Sequence, residues 1–178
     1  MSAPEAQKGA VFGVAVPAFM GAIWLVGGLA ALGRAQSLPI AAILIVSLVL
    51  FGFGLRATRL RTARPPRTPR DSRIFGAAVA FETIGAVGAV GLGNALGRAD
   101  VIPPLVAIAV GLHFIPLARV FHRPGLYRTA LVMVAGGTVA LIGWTGDMRE
   151  AVAALVAGAA LWMGSMEIAW PALVRALA

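Results

Sequence analysis

Residues 38–55 read LPIAAILIVSLVLFGFGL and contain no charged side chain, whereas residues 56–73, RATRLRTARPPRTPRDSR, carry seven arginines. A helix of about 20 apolar residues crosses the roughly 30 Å hydrocarbon core of a bilayer. An apolar run of this length that is followed directly by a strongly basic loop is typical of a transmembrane helix that ends at the cytoplasmic face. This part of the chain therefore predicts a membrane protein.

Five further apolar stretches extend this prediction over the whole chain. Hydrophobic residues make up 60% of the sequence and charged residues only 12%, against about 25% charged residues in soluble domains. We therefore expect an all-α, polytopic membrane protein with one transmembrane domain over residues 1–178. Its six transmembrane helices are predicted at residues 10–32, 38–55, 74–96, 101–121, 126–145 and 151–174.

The distribution of basic residues predicts the orientation, because Lys and Arg accumulate in cytoplasmic loops. With both termini and the basic loop 56–73 inside, 12 of the 15 basic residues are cytoplasmic, and only Arg34, Arg98 and Arg149 lie outside. We expect a multi-pass protein of a bacterial inner (plasma) membrane. The 12 predicted inside residues are Lys8, Arg56, Arg59, Arg61, Arg64, Arg67, Arg70, Arg73, Arg119, Arg123, Arg128 and Arg175.

Two predicted outer turns share a motif. Residues 33–39 read GRAQSLP and residues 97–103 read GRADVIP, which match as GRAxxxP. Each copy joins an outgoing helix to a returning one, with Pro in the first turn of the returning helix, where its missing N–H is not needed. The motif predicts three helical hairpins, of which the first two are duplicated. The 22 glycines predict close helix packing, because small residues let helix backbones approach each other in a bilayer.

Three ionisable residues fall inside the predicted helices: Glu82, His113 and Glu167. Ionisable groups within a membrane are costly and commonly mark a functional site or a specific pairing. Each lies about 12 Å from the cytoplasmic boundary at 1.5 Å per residue, so all three reach the same depth. They are candidates for a substrate-binding or proton-binding site, or else each only holds two helices in register.

Asn94 and Arg119 are secondary candidates. Asn94 lies near the outer end of the third predicted helix, where we expect an interhelical hydrogen bond. Arg119 lies near the cytoplasmic end of the fourth, within reach of a carboxylate on a neighbouring helix or of lipid headgroups. No motif assigns a catalytic residue or a metal site, and the absence of cysteine removes thiolate ligands.

The predicted partner of the basic loop is the membrane surface. The loop has no aromatic residue that would stack on a base, so we do not expect nucleic acid. Arginines beside a membrane attract anionic lipid headgroups. A homo-oligomer or a membrane-protein partner stays open, and no cofactor is indicated. The predicted headgroup contacts are Arg56, Arg59, Arg61, Arg64, Arg67, Arg70 and Arg73.

Two function classes remain. The first is a small proton-linked transporter or channel that uses Glu82, His113 and Glu167. The second is a structural or accessory membrane protein with neither transport nor catalytic activity. An enzyme is less favoured, because the loops outside residues 56–73 are too short to build a pocket.

Overall fold

A computed structural model describes residues 3–59 and 68–177, with side chains for residues 16–56, 68–170 and 174. These residues form six α-helices and one 3-10 turn, with no strand among them. The helices are α1 (Ala3–Ala31), α2 (Ser37–Arg59), α3 (Pro69–Ala95), α4 (Ile102–Val120), α5 (Gly125–Gly143) and α6 (Gly146–Leu177), and the 3-10 turn is Ala99–Val101.

Five of the helical segments are long and apolar enough to cross a membrane: Ser37–Arg56, Pro69–Ala95, Ala99–Val120, Gly125–Gly143 and Gly146–Trp170. In α1, the apolar part with described side chains is shorter and covers Val16–Ala31. The part of the chain that the structure describes is therefore helical without strands, and its apolar helices fit a multi-pass membrane protein. The sixth crossing and the orientation remain predictions.

The basic loop is shorter than the predicted residues 56–73 at both ends. Helix α2 continues to Arg59, and α3 begins at Pro69. The hydroxyl of Thr68 accepts a hydrogen bond from the N–H of Asp71, and the Asp71 carboxylate accepts one from the N–H of Thr68. This reciprocal capping box satisfies two N–H groups that a helix start leaves free. The predicted lipid contacts Arg61, Arg64 and Arg67 lie outside the described residues.

Helix α6 lies at the centre of the bundle. It packs against α1, α2, α5 and α4, whereas α3 packs mainly against α4. In the apolar part of α6, 50% of the residues are buried inside the bundle, compared with 11% in α3. The most extensive contact joins α1 to α6, which are far apart in sequence.

Small residues set the spacing between these helices, as the glycine content predicts. A Cβ atom on Gly158 of α6 would lie 2.9 Å from the carbonyl oxygen of Gly21 on α1. A Cβ on Gly137 of α5 would lie 2.7 Å from the carbonyl oxygen of Pro104 on α4. Backbones this close exclude any larger residue at these positions unless the helices move apart.

The two GRAxxxP turns have the same backbone geometry. Gly33 and Gly97 adopt φ values of 65° and 64°, in the left-handed region that glycine enters without steric cost. In both turns the glycine N–H donates to the carbonyl three residues earlier, and the N–H of the next residue donates to the carbonyl five residues earlier. This is the Schellman end of a helix. The duplication of the two complete hairpins remains a prediction.

Candidate functional site

His113 is buried on the side of α4 that meets α3. Its side chain is 7% exposed, and its ring lies 4.4 Å from the ring of Phe114. Its Nδ1 lies 2.7 Å from the carbonyl oxygen of Val110. A carbonyl oxygen only accepts hydrogen bonds, so Nδ1 carries a proton and donates a hydrogen bond to the carbonyl oxygen of Val110. The remaining ring nitrogen, Nε2, is thereby left for a second partner.

Glu82 of α3 faces this free nitrogen. Its Oε2 lies 3.4 Å from Nε2 of His113, and its side chain is 35% exposed. Helices α3 and α4 approach closely here, because a Cβ on Gly85 would lie 2.7 Å from the Cβ of Ala109. The separation exceeds the roughly 2.7–3.2 Å of a typical N–H···O bond.

This arrangement can hold one proton in two ways. With the proton on His113, an imidazolium faces a carboxylate, and with the proton on Glu82, a carboxylic acid donates to a neutral imidazole. A carboxyl group and an imidazole in this arrangement can share one proton.

Glu167 belongs to a different ion pair. Its Oε1 lies 2.7 Å from Nη2 of Arg128 on α5, and the side chains of Arg128 and Glu167 are 71% and 37% exposed. Its carboxyl lies directly over Gly125, the first residue of α5, where a Cβ would collide with it. The structure thus brings Glu82 and His113 together and places Glu167 with Arg128 between α5 and α6.

The secondary candidates occupy other positions. Asn94 is exposed near the end of α3, and its side chain makes none of the hydrogen bonds found among the described residues. The interhelical hydrogen bond expected for Asn94 is therefore not found among the described residues. Nε of Arg119 donates to the hydroxyl of Tyr127 at 3.3 Å. Within the part of the chain that the structure describes, no group of three His, Cys, Asp or Glu could hold a metal ion.

An ionic cluster at the hairpin end of the bundle, which carries the turns α1–α2, α3–α4 and α5–α6, was not predicted. The Asp100 carboxylate accepts hydrogen bonds from Nη1 of Arg149 and, at 3.1 Å, from the N–H of Gly146. Arg98 adds a third contact at 3.3 Å. Two features of the sequence could have indicated this cluster. Asp100 is acidic where the matching GRAxxxP turn has Gln36, and Arg149 is a basic residue beside the turn from α5 to α6.

A second interaction that sequence reasoning missed joins three helices. Nε1 of Trp162 on α6 donates to the hydroxyl of Ser47 on α2 at 3.1 Å and to the carbonyl of Ala18 on α1 at 3.3 Å. Buried Trp N–H groups usually find an acceptor. The presence of Trp162 and Ser47 in apolar stretches was therefore only a weak indication of this hydrogen bond. Its role is structural, because it fixes α6 against the first hairpin.

Comparison with protein-family models, with curated proteins and with solved structures found no match to this chain.

Proposed function

We propose that this chain is a proton-exchanging membrane protein of the small-transporter class, with Glu82 and His113 as its proton-binding pair. The observation that carries the proposal is the geometry of His113. Its Nδ1 is held by Val110 at 2.7 Å, while its Nε2 lies 3.4 Å from a carboxyl oxygen of Glu82. One ring nitrogen is fixed and the other faces a proton acceptor.

The two side chains lie at different depths in the bundle. His113 is almost completely buried, whereas about a third of the Glu82 side chain is exposed at the bundle surface. In this proposal a proton that reaches Glu82 passes to His113. In this proposal Glu167 holds α5 and α6 together through Arg128 and takes no part in proton transfer.

The experiment measures proton flux into vesicles that contain the purified protein and a pH-sensitive dye. A potassium diffusion potential drives protons inward. We expect the protein to acidify the vesicles at least tenfold faster than empty vesicles, and Glu82→Gln and His113→Asn to lose this flux. Glu167→Gln is the matched control, because it removes the other intramembrane carboxylate, and it should keep the flux.

The double variant distinguishes a two-residue site from a three-residue one. Glu82→Gln and His113→Asn should be non-additive, because the residues form one unit, whereas Glu82→Gln and Glu167→Gln should act independently. Coupling between Glu82 and Glu167 would instead support a joint site of all three residues. If the unmodified protein conducts no more protons than empty vesicles do, the proposal fails.

A structural or accessory role is the second candidate. It is favoured by the pairing of the carboxylates, since Glu82, Asp100 and Glu167 each face a basic residue on another segment. Such pairs can simply hold helices in register. Equal flux with and without the protein, together with loss of thermal stability in Glu82→Gln, would select this role.

A further inference from the structure

A close approach of α3 to α4 lies one helical turn from the Glu82–His113 pair. A Cβ atom on Gly85 would lie 2.7 Å from the Cβ of Ala109, whereas carbon atoms in ordinary contact are about 3.5–4.0 Å apart. Gly85 follows Glu82 by three residues, and Ala109 precedes His113 by four. Residues at these spacings share one face of a helix. The close approach and the pair are therefore adjacent layers of the same interface.

Helix α3 depends on this interface for its position. It packs mainly against α4, and few of its residues are buried inside the bundle. An outward movement of α3 would therefore meet little resistance from other helices. Ala109 is itself buried, and an alanine Cβ is fixed by the backbone, so its methyl group cannot turn away from an added atom. A side chain at position 85 would displace α3 instead.

We propose that Gly85 is a positioning residue for the Glu82–His113 pair. Its missing Cβ lets α3 approach α4 closely enough for the Glu82 carboxyl to lie 3.4 Å from Nε2 of His113. With a methyl group at position 85, α3 would withdraw by about 1 Å to restore ordinary carbon contact. Glu82 would move with it, beyond the roughly 4 Å that defines an ion pair. The positioning stands on geometry alone, whereas its effect on proton flux rests on the proposed function.

Ala109 offers a matched rescue of this change. Outside its own helix, a Cβ at position 85 would have two neighbours within 4 Å, the Cβ of Ala109 at 2.7 Å and the Cα of Ala109 at 3.9 Å. Ala109→Gly removes the first neighbour and leaves the second in ordinary contact. The double variant Gly85→Ala/Ala109→Gly thus moves one methyl group from α4 to α3. Helix α3 can then keep its place, and Glu82 keeps its distance from His113.

The first measurement follows His113 by NMR in the full chain, reconstituted in lipid with isotope-labelled histidine. The chain has two histidines, and His122→Asn identifies the signals of the other one. Glu82→Gln should shift the Nε2 signal of His113, because the two groups are in contact. In a Gly85→Ala background the same replacement should cause less than about a third of that shift, and in the double variant more than about two thirds. Gly88→Ala is the matched control and should retain the full shift, since nothing lies within 4 Å of its added Cβ.

The second measurement is proton flux into vesicles. We expect Gly85→Ala to lower the flux at least about tenfold and the double variant to restore it to within about twofold. A simple loss of stability in Gly85→Ala would not be reversed by a second replacement that only removes a methyl group from α4. Lost flux that returns in the double variant therefore reports the position of Glu82.

Three NMR outcomes would overturn the inference. Glu82→Gln could leave the His113 signal unchanged, the Gly85→Ala background could keep the full shift, or the double variant could fail to recover it. The flux results test the proposed function separately. If the unmodified protein conducts no protons, or if Gly85→Ala loses the NMR shift but keeps its flux, proton exchange at the pair is rejected while the positioning role of Gly85 stands.

Discussion

At the scale of single residues, His122 closes α4 in a conformation that L-residues rarely adopt. Its φ is 52°, in the left-handed region. Its N–H and that of Arg123 make the same two helix-ending hydrogen bonds that occur after Gly33 and Gly97. At His122, however, the residue in the glycine position carries a Cβ. The turn between α4 and α5 therefore has the same geometry at a higher conformational cost.

We expect His122→Gly to raise the free energy of unfolding by up to about 1 kcal/mol, because glycine enters this region without steric conflict. Thermal unfolding in detergent micelles measures the change. His122→Ala is the matched control, since it also removes the imidazole but keeps the Cβ. A glycine variant no more stable than the alanine variant would contradict the argument.

The candidate site illustrates what depth along a helix can and cannot predict. Glu82, His113 and Glu167 are predicted to lie at similar depths, and the structure places the first two in contact. Glu167, however, meets Arg128. Counting residues fixes the height of a side chain at 1.5 Å per residue. The direction of the side chain around the helix axis decides which residue it meets. That depends on which helices are neighbours, and the sequence alone does not indicate which helices pack together. The function of the site remains a proposal.

At the scale of helices, hydropathy predicted where the helices lie but not where they end. Each of the six apolar stretches is helical in the structure. The start of α3 at Pro69 was missed because its capping residues, Thr68 and Asp71, lie among arginines that suggested a loop. Hydropathy reports only the part of a helix inside the hydrocarbon core, whereas caps and polar extensions depend on local hydrogen bonds.

Close packing of α4 and α5 leads to a prediction about Gly137. We expect Gly137→Ala to lower the free energy of unfolding by about 1–3 kcal/mol, because the new methyl group would press on the carbonyl of Pro104. Gly143→Ala in the same helix is the matched control, since nothing lies within 4 Å of its added Cβ. Unfolding in a denaturing detergent measures both variants. Equal stability of the two would show that the helices separate without cost.

At the scale of the whole molecule, α1 contacts α2, α3 contacts α4 and α5 contacts α6. Their arrangement as three transmembrane hairpins remains a prediction. The central position of α6 was not predicted. Long-range contacts depend on which faces are complementary, and a chain rich in small apolar residues offers many similar faces. Asp100 adds a link between the second and third hairpins through Gly146 and Arg149.

Orientation in the membrane is a prediction for the whole chain, and it can be tested because the chain has no cysteine. Single cysteines at Gln36 and Asp147 should react in intact cells with an impermeant thiol reagent. Cysteines at Thr62 and Ala178, two positions outside the described residues, should react only after the cells are opened, because basic segments stay cytoplasmic. Labelling of Thr62→Cys in intact cells would reverse the predicted orientation.

The central position of α6 has a consequence for biosynthesis. The ribosome delivers α1 to α5 before α6, so the first five helices are synthesised before the helix that most of them pack against. During this interval Gly21 and Ser47 lack their contacts with Gly158 and Trp162. Insertion and tertiary assembly are thus separated in time. Until α6 is present, the small-residue surface around Gly21 and the hydroxyl of Ser47 are left without these partners.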